Sequence, residues 1–264
     1  MAAREPKVLT FDVVGTLIDF EAGISGFLRQ HITETRTLGD DKLLSAYRVA
    51  RASKPSLRFP DDLVRVYDQM ALRLRWPRER TLGERFRDSI RAWPAFSDSK
   101  AALQRLKAKF KLVAMTNAQR WSFGYLSATL GDPFDDSVTV DEALCEKPDP
   151  CFFAFTRGRL SRDGYGLDDI LHVAQSQYHD IGVARNRGYT VCWIERRKGM
   201  PGFGGTQEVA ELTTPDYHFG TLADLADAAE AGRLRIVERD PHPAPSAPTP
   251  DRGPGQASPA TRER

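Results

Sequence analysis

The segment of residues 8–19, VLTFDVVGTLID, places a carboxylate beside groups that could bind an anion. Its first four residues predict a short buried strand that ends just before Asp12. Open α/β sheets bind their ligands at the carboxyl ends of the strands, so Asp12 would lie at a ligand site. Gly15 allows a sharp turn there, and Thr16 offers a hydroxyl and an amide to an anion. The alternative interpretation is an Asp that ends a strand at an ordinary turn.

Polar residues follow or adjoin three further predicted elements, at the edge where Asp12 would meet them. Each is a weak signal alone, because an Asn or Thr after a strand is commonly a helix cap and a lone Lys is commonly solvated. Four such positions in this order are much less expected by chance. The candidates are Thr116, Asn117, Lys147, Gln175, Ser176 and Asp180. His179, beside Asp180, could move protons or could simply stand at a helix start.

The elements predicted around these residues alternate between helix and strand. Helices are predicted near 99–109, 119–130, 150–158, 179–187 and 221–230, and strands at 111–115, 138–140, 170–174 and 190–194. This alternation predicts an α/β fold, a doubly wound parallel sheet with a Rossmann-like core. Between Phe20 and about Trp93, apolar residues recur every three or four positions, which predicts an inserted helical cap. We therefore expect a core of residues 1–18 and 95–237 and a cap of residues 19–94.

Composition and charge disfavour several classes of protein. The chain has 264 residues and a formal net charge of +2, which gives no reason to expect a nucleic-acid partner. It contains no apolar run of about 18 residues, so no membrane-spanning helix is expected. The start of the sequence lacks an apolar signal core, which predicts a cytoplasmic protein. Cys145, Cys151 and Cys192 lack metal spacing and are expected to be reduced thiols.

Two segments rich in small residues are not expected to form regular structure. Residues 238–264 are rich in Pro, Ser, Ala and Gly. Such a segment cannot bury enough apolar surface to offset its ordering entropy, which predicts a disordered tail. The stretch GMPGFGG, residues 199–205, lacks the strand-to-helix context of a phosphate-binding loop and is interpreted as a flexible turn.

The motifs together resemble those of the haloacid dehalogenase superfamily of hydrolases. The matches occur in order: FDVVGTLID, then MTN, then Lys147, then HVAQSQYHD. The resemblance covers about residues 7–235, and the helical insertion after the first motif resembles the caps of the L-2-haloacid dehalogenase branch. It implies a small-molecule acid substrate, no cofactor and no metal. It also allows a homodimer, since relatives with a cap often pair.

The resemblance implies a role for each matching residue. Asp12 would be the nucleophile that forms an aspartyl ester with the substrate. Lys147 would balance the carboxylate charge, and Asp180 would position the lysine and the hydrolytic water. Thr116 and Asn117 would orient the nucleophile and the substrate. The other residues expected at the substrate are Thr16, Gln175 and Ser176.

Some positions depart from the relatives that the motifs resemble. Val14 and Gln175 stand where phosphatases of the superfamily have Asp residues, and Mg²⁺ prefers carboxylate oxygens, so no strong metal site is expected. Strict haloacid dehalogenases have a Tyr where this chain has Phe153, a Ser at position 175 and a cap arginine where this chain has Leu43. The nearest substitutes for that arginine are Arg48 and Arg51, which could bind a halide or a substrate carboxylate or could lie on a solvated face.

The sequence favours a metal-independent hydrolase that acts on a small carboxylic acid of the 2-haloacid type through an Asp12 ester. A Mg²⁺-dependent phosphohydrolase of the same superfamily and a non-catalytic binding protein on the same scaffold are the alternatives. Val14 argues against the first alternative, because valine cannot protonate a leaving group. The joint presence of Asp12, Lys147 and Asp180 argues against the second.

Overall fold

Six parallel strands form one sheet in the order β3-β2-β1-β4-β5-β6 in the computed structural model, which describes residues 4–54 and 56–237. The strands are β1 (Val8–Phe11), β2 (Lys111–Thr116), β3 (Asp136–Thr139), β4 (Ile170–Ala174), β5 (Thr190–Ile194) and β6 (Tyr217–Phe219). The predicted doubly wound α/β fold is confirmed. The predicted tail, residues 238–264, lies outside the described residues.

Helices fall into two groups along the chain. Between β1 and β2 lie α1 (Phe20–His31), α2 (Asp40–Ala52), α3 (Leu63–Leu74), α4 (Arg80–Asp88) and then α5 (Ser99–Lys107). The later helices are α6 (Arg120–Leu130), α7 (Val140–Ala143), α8 (Pro150–Arg162), α9 (Gly182–Asn186) and α10 (Leu222–Glu230). The first four helices occupy the stretch in which the sequence predicted a cap. No helix in residues 4–54 and 56–237 is long and apolar enough to cross a membrane.

Strand β1 lies in the interior of the sheet and is flanked on both sides. All four of its residues are buried, as expected for a strand with helices on both faces. Phe11 pairs in register with Ala114 of β2 and Val173 of β4. The carboxyl ends of these three strands therefore meet at one edge of the sheet, immediately beside Asp12.

The cap helices bury one apolar face each. In α1 the buried residues Ile24, Phe27 and Leu28 recur at helical spacing, and the Phe27 and Phe86 rings lie 5.4 Å apart. Gly23 permits close contact on the same helix, because a Cβ there would lie 2.4 Å from the Trp93 ring. Packing of this kind holds the cap helices together.

Candidate active site

Asp12 follows β1 directly and is 7% exposed. Gly15 has a φ of +96°, in the left-handed region that favours glycine, so the chain turns sharply after β1. This turn carries Thr16 back to Asp12, where Thr16 Oγ1 donates to Asp12 Oδ2 at 2.6 Å. The same hydroxyl oxygen accepts the backbone N–H of Gln175 at 2.8 Å. Thr16 therefore orients the carboxylate and links the loops that follow β1 and β4.

The Lys147 ammonium joins two carboxylates inside the protein. Lys147 Nζ lies 2.9 Å from Asp12 Oδ1, 2.6 Å from Asp180 Oδ1 and 2.8 Å from the carbonyl oxygen of Met115. Lys147 is 2% exposed, so these three contacts use all three donors of its ammonium group. Asn117 fixes the lysine backbone, since its amide donates to Lys147 O and accepts from Lys147 N, both at 2.8 Å.

Asp180 is completely buried on the far side of the lysine. His172 Nε2 lies 3.2 Å from Asp180 Oδ1, and His172 Nδ1 lies 2.9 Å from Thr10 Oγ1. Asp180 Oδ2 has no hydrogen-bond partner among the described residues. A π-helical turn, Gln177–Ile181, carries this aspartate, and such turns are rare and frequently lie at functional sites.

Burial and the lysine act in opposite directions on the two carboxyl groups. Burial raises the pKa of Asp12 above its ordinary value, although Lys147 and Thr16 oppose the increase. Burial also acts to raise the pKa of Asp180, but Lys147 and His172 outweigh it and lower that pKa to about 2. Burial acts to lower the pKa of Lys147, but the two carboxylates outweigh it and hold the pKa above its ordinary value. At neutral pH the site therefore contains an ammonium and an ionised Asp180.

A cavity of about 380 Å³ opens onto Asp12 between the sheet edge and the cap, a size suited to a small molecule. Its core-side wall includes Asp12, Val14, Thr116, Asn117, Lys147, Gln175, Ser176, His179 and Asp180. Its cap-side wall includes Phe20, Tyr47, Arg51 and Phe59. The cavity is thus charged at its base and carries both aromatic and basic side chains toward the cap.

The two cap arginines considered from the sequence lie in different places. Arg51 lines the cavity and forms an ion pair with the buried Asp62. Arg48 does not line the cavity; it donates to the carbonyl oxygen of Gly204 and lies 2.6 Å from a Glu208 oxygen. Arg51 therefore lies where an arginine could contact a substrate, as expected. Arg48 lies outside the cavity and instead joins α2 to the segment after β5.

The other expected substrate residues also take part in hydrogen bonds within the protein. Thr116 Oγ1 accepts the N–H of Ala118 at 3.1 Å, and Ser176 Oγ accepts the N–H of His179 at 2.9 Å. Gln175 Oε1 accepts from Thr206 Oγ1 at 3.3 Å. These three side chains lie at the cavity that Asp12 occupies, so the structure brings them together. Thr16 is not among the lining residues and acts through Asp12.

The two positions that depart from the phosphatase motifs both line this cavity. Val14 has no donor or acceptor in its side chain, and Gln175 offers a neutral amide in place of a carboxylate. Within the part of the chain that the structure describes, no group of three or more His, Cys, Asp or Glu side chains is arranged to hold a metal ion.

Known proteins resemble this chain in sequence over part of its length. No protein-family model matches the chain. It is 27% identical over 119 residues to an (S)-2-haloacid dehalogenase of Pseudomonas putida, which covers 44% of this chain and 51% of that protein. The chain thus spans about half the length of the curated relatives it matches.

Solved structures resemble the chain over most of its length. The L-2-haloacid dehalogenase of Xanthobacter autotrophicus with chloropropionic acid covalently bound superposes with a TM-score of 0.60 and 21% identity, covering 85% of this chain and 98% of that one. This chain has the haloacid dehalogenase fold. YfnB of Bacillus subtilis, described as a HAD-hydrolase and bound to magnesium, superposes with a TM-score of 0.68 and 16% identity, covering 86% and 100%. The resemblance inferred from the four motifs is confirmed.

Two features of the site in this haloacid dehalogenase fold were not expected from the sequence. Gly205 and Thr206 line the cavity, although residues 199–205 were interpreted only as a flexible turn. The N–H of Gly205 donates to Glu21 Oε1 at 2.8 Å, so the segment is attached to the first cap helix. His172 was not expected at the site, and its position inside an apolar strand was the available signal for a buried partner.

Proposed function

We propose that this protein hydrolyses small 2-halocarboxylic acids through a covalent ester on Asp12, without a metal ion. The observation that carries the proposal is the buried contact of Lys147 with both Asp12 and Asp180 at the base of the cavity. This contact supports the proposal, because it partly balances the charge of a carboxylate that lines a space large enough for a small acid.

In the first half of the reaction, one oxygen of Asp12 attacks the carbon that bears the halogen, and the halide leaves with the bonding electrons. A halide needs no proton to leave, so Val14 in the cavity wall is compatible with this step. Arg51 offers N–H donors to a substrate carboxylate or to the departing halide from the cap side. Thr16 holds the attacking carboxylate through its 2.6 Å hydrogen bond.

In the second half, water attacks the ester carbon of Asp12 and releases a hydroxy acid. Negative charge develops on the carbonyl oxygen of the ester during this attack, and the Lys147 ammonium is the adjacent positive charge that can stabilise it. Asp180 holds the ammonium from the opposite side at 2.6 Å, which keeps the lysine in place when Asp12 is esterified.

The comparisons support this proposal from two directions. The curated relatives are named (S)-2-haloacid dehalogenases. The structure from Xanthobacter autotrophicus carries chloropropionic acid covalently bound. Both observations favour a 2-haloacid over a phosphate ester as the substrate class.

The proposal is tested by single-turnover hydrolysis of (S)-2-chloropropionate in heavy-oxygen water, with excess enzyme. The expected result is chloride release together with heavy oxygen in the Asp12 carboxylate, located by peptide mass spectrometry. The control is Asp12→Asn, which keeps the shape of the side chain but lacks the nucleophile. Heavy oxygen found only in the product would contradict the ester mechanism. Mg²⁺-stimulated hydrolysis of an aryl phosphate without chloride release would favour a phosphohydrolase.

A further inference from the structure

Asp180 keeps one of its two carboxylate oxygens unpaired at the cavity. Oδ1 lies 2.6 Å from Lys147 Nζ and 3.2 Å from His172 Nε2, whereas Oδ2 has no hydrogen-bond partner among the described residues. Asp180 is completely buried and, like Asp12, it lines the cavity. A buried carboxylate oxygen without a donor is costly, so Oδ2 is the oxygen that would accept a hydrogen bond from a water or a substrate.

The direction in which Oδ2 points depends on what restricts rotation of the carboxylate. With Lys147 as its only donor, the carboxylate would keep a broad range of rotation about the Cβ–Cγ bond, because torsions of this kind have shallow preferences. His172 Nε2 makes a second contact with the same oxygen, Oδ1. This second contact restricts the rotation and thereby fixes the direction of Oδ2.

The His172 ring is itself fixed within the sheet. Its neighbour in register on β1 is Thr10, whose Oγ1 lies 2.9 Å from Nδ1. The rings of Phe153 and Tyr189 pack edge-on against the imidazole, with centroids 5.5 and 6.3 Å away. His172 and Thr10 are both completely buried, so bulk water does not compete for their contact. These contacts leave the imidazole little freedom to move.

The proton positions on the ring follow from the charge of Asp180. Burial acts to raise the pKa of Asp180, but Lys147 and His172 outweigh it and lower that pKa to about 2. The carboxylate is therefore ionised at neutral pH and can only accept, so Nε2 carries a proton and donates to Oδ1. Nδ1 of the neutral ring then accepts the proton of the Thr10 hydroxyl. The hydrogen bonds thus run in one direction, from β1 through the ring to Asp180.

We propose that His172 is a positioning residue for hydrolysis of the Asp12 ester, a role that rests on the function proposed above. By holding Oδ1, His172 directs Oδ2 of Asp180 toward the water that attacks the ester. His172 is not among the residues that line the cavity, so it acts through Asp180. Attack by Asp12 on the substrate does not use this water, and that first half of the reaction should depend little on His172.

The test compares His172→Phe, which keeps a ring but removes both nitrogen atoms, with His172→Gln, whose terminal amide can donate near the position of Nε2. Each protein is mixed with (S)-2-chloropropionate, and chloride release and intact protein mass are followed in time. In His172→Phe the first chloride should be released within about threefold of the wild-type rate, whereas ester breakdown should slow at least about tenfold. The esterified protein should therefore accumulate, and kcat and KM should fall together. His172→Gln should restore ester breakdown to within about threefold of the wild-type rate.

Two further variants separate positioning from general damage to the fold. Tyr189→Phe removes a buried hydrogen bond of 3.1 Å to the carbonyl oxygen of Phe153, in the same aromatic cluster, and leaves the donor of His172 in place. It should lower the urea midpoint without accumulating the ester. Thr10→Val removes the hydroxyl that holds Nδ1 and should accumulate the ester to a smaller extent than His172→Phe. Circular dichroism checks the folding of each variant, and His172→Leu replaces His172→Phe if the latter does not fold.

The outcomes separate this proposal from the proposed function. Wild type that forms the ester, together with a His172→Phe variant that turns over without accumulating it, would overturn the role of His172 alone. Equal accumulation of the ester in Tyr189→Phe, or no recovery in His172→Gln, would attribute the effect to packing and would also overturn that role. Absence of chloride release from wild type would overturn the proposed function and the role of His172 with it.

Discussion

Replacement of Lys147 by methionine should damage both activity and stability, because this lysine neutralises two buried carboxylates. The ammonium contacts Asp12 at 2.9 Å and Asp180 at 2.6 Å, and both contacts are nearly inaccessible to water. Breaking a buried ion pair by removing one partner costs about 3–5 kcal/mol of folding free energy. Loss of the positive charge beside the carbonyl oxygen of the proposed ester should lower kcat at least about a hundredfold.

The same substitution should change how stability depends on pH. In wild type the folded pKa of Asp180 is about 2, below its ordinary value of 3.8. The Asp180 carboxylate therefore stabilises the fold above about pH 4 by roughly 2 kcal/mol, and this stabilisation is lost as the pH falls toward 2. Without Lys147 the opposing effect of burial prevails and the pKa of Asp180 rises. Lys147→Met should therefore lack this contribution at pH 7, and the difference in stability between wild type and variant should narrow as the pH falls, because protonation relieves the buried Asp180 charge in the variant.

Urea unfolding, followed by circular dichroism at pH 7 and pH 4, measures these stability changes. Chloride release from (S)-2-chloropropionate measures the activity. The control is Lys111→Met, since Lys111 forms a partly exposed ion pair with Asp163 at 3.0 Å and should contribute less than about 1 kcal/mol. Activity near that of wild type in Lys147→Met, or a stability loss no larger than that of the control, would refute the reasoning.

Three further substitutions test other parts of the structure. Arg51→Lys should raise KM for (S)-2-chloropropionate about tenfold, because it removes a directional donor at the cavity. Arg48→Lys, one helical turn away and outside the cavity, should leave KM nearly unchanged. Equal changes of KM in the two variants, measured by steady-state kinetics, would contradict the assignment of Arg51 to substrate binding. Gly23→Ala should cost about 1–3 kcal/mol in urea unfolding, because its Cβ would lie 2.4 Å from the Trp93 ring. Gly26→Ala on the same helix meets no atom within 4 Å and should instead stabilise by about 0.5–1 kcal/mol; similar destabilisation of both would count against this packing. Val14→Asp should not accelerate chloride release, because a halide needs no general acid, and a faster variant would argue for a leaving group that requires a proton.

The parts of the fold that the sequence predicted are those that local pattern determines. The strands at 170–174 and 190–194 were predicted with the bounds that the structure shows, because each is a short apolar run between turns. Strand β6, Tyr217–Phe219, was not predicted, because three residues carry too little periodicity and pair only with β5. The helix predicted near 179–187 is divided, with a π-helical turn at Gln177–Ile181 and α9 after it.

The candidate site likewise has residues that the sequence predicted and residues that only tertiary packing brings there. Asp12, Lys147 and Asp180 follow recognisable motifs, and their mutual contacts depend on the strand order that alternation predicted. The part played by Thr206 was out of reach, because it contacts Gln175 across 31 residues through packing that no local pattern encodes. The difference between Arg48 and Arg51 was equally inaccessible, since both lie on one helix and only their tertiary neighbours distinguish them.

The segment after β5 links the cap to the core in the wall of the cavity. Arg48 on α2 donates to the carbonyl oxygen of Gly204, and Glu21 on α1 accepts the N–H of Gly205 at 2.8 Å. The next residue, Thr206, donates to Gln175, which lies just before the π-helical turn. Movement of the cap away from the sheet edge would have to break these hydrogen bonds or carry the segment with it. This segment lines the cavity at Gly205 and Thr206 and follows all four motifs in the sequence, so the motifs alone do not describe the whole lining of the cavity.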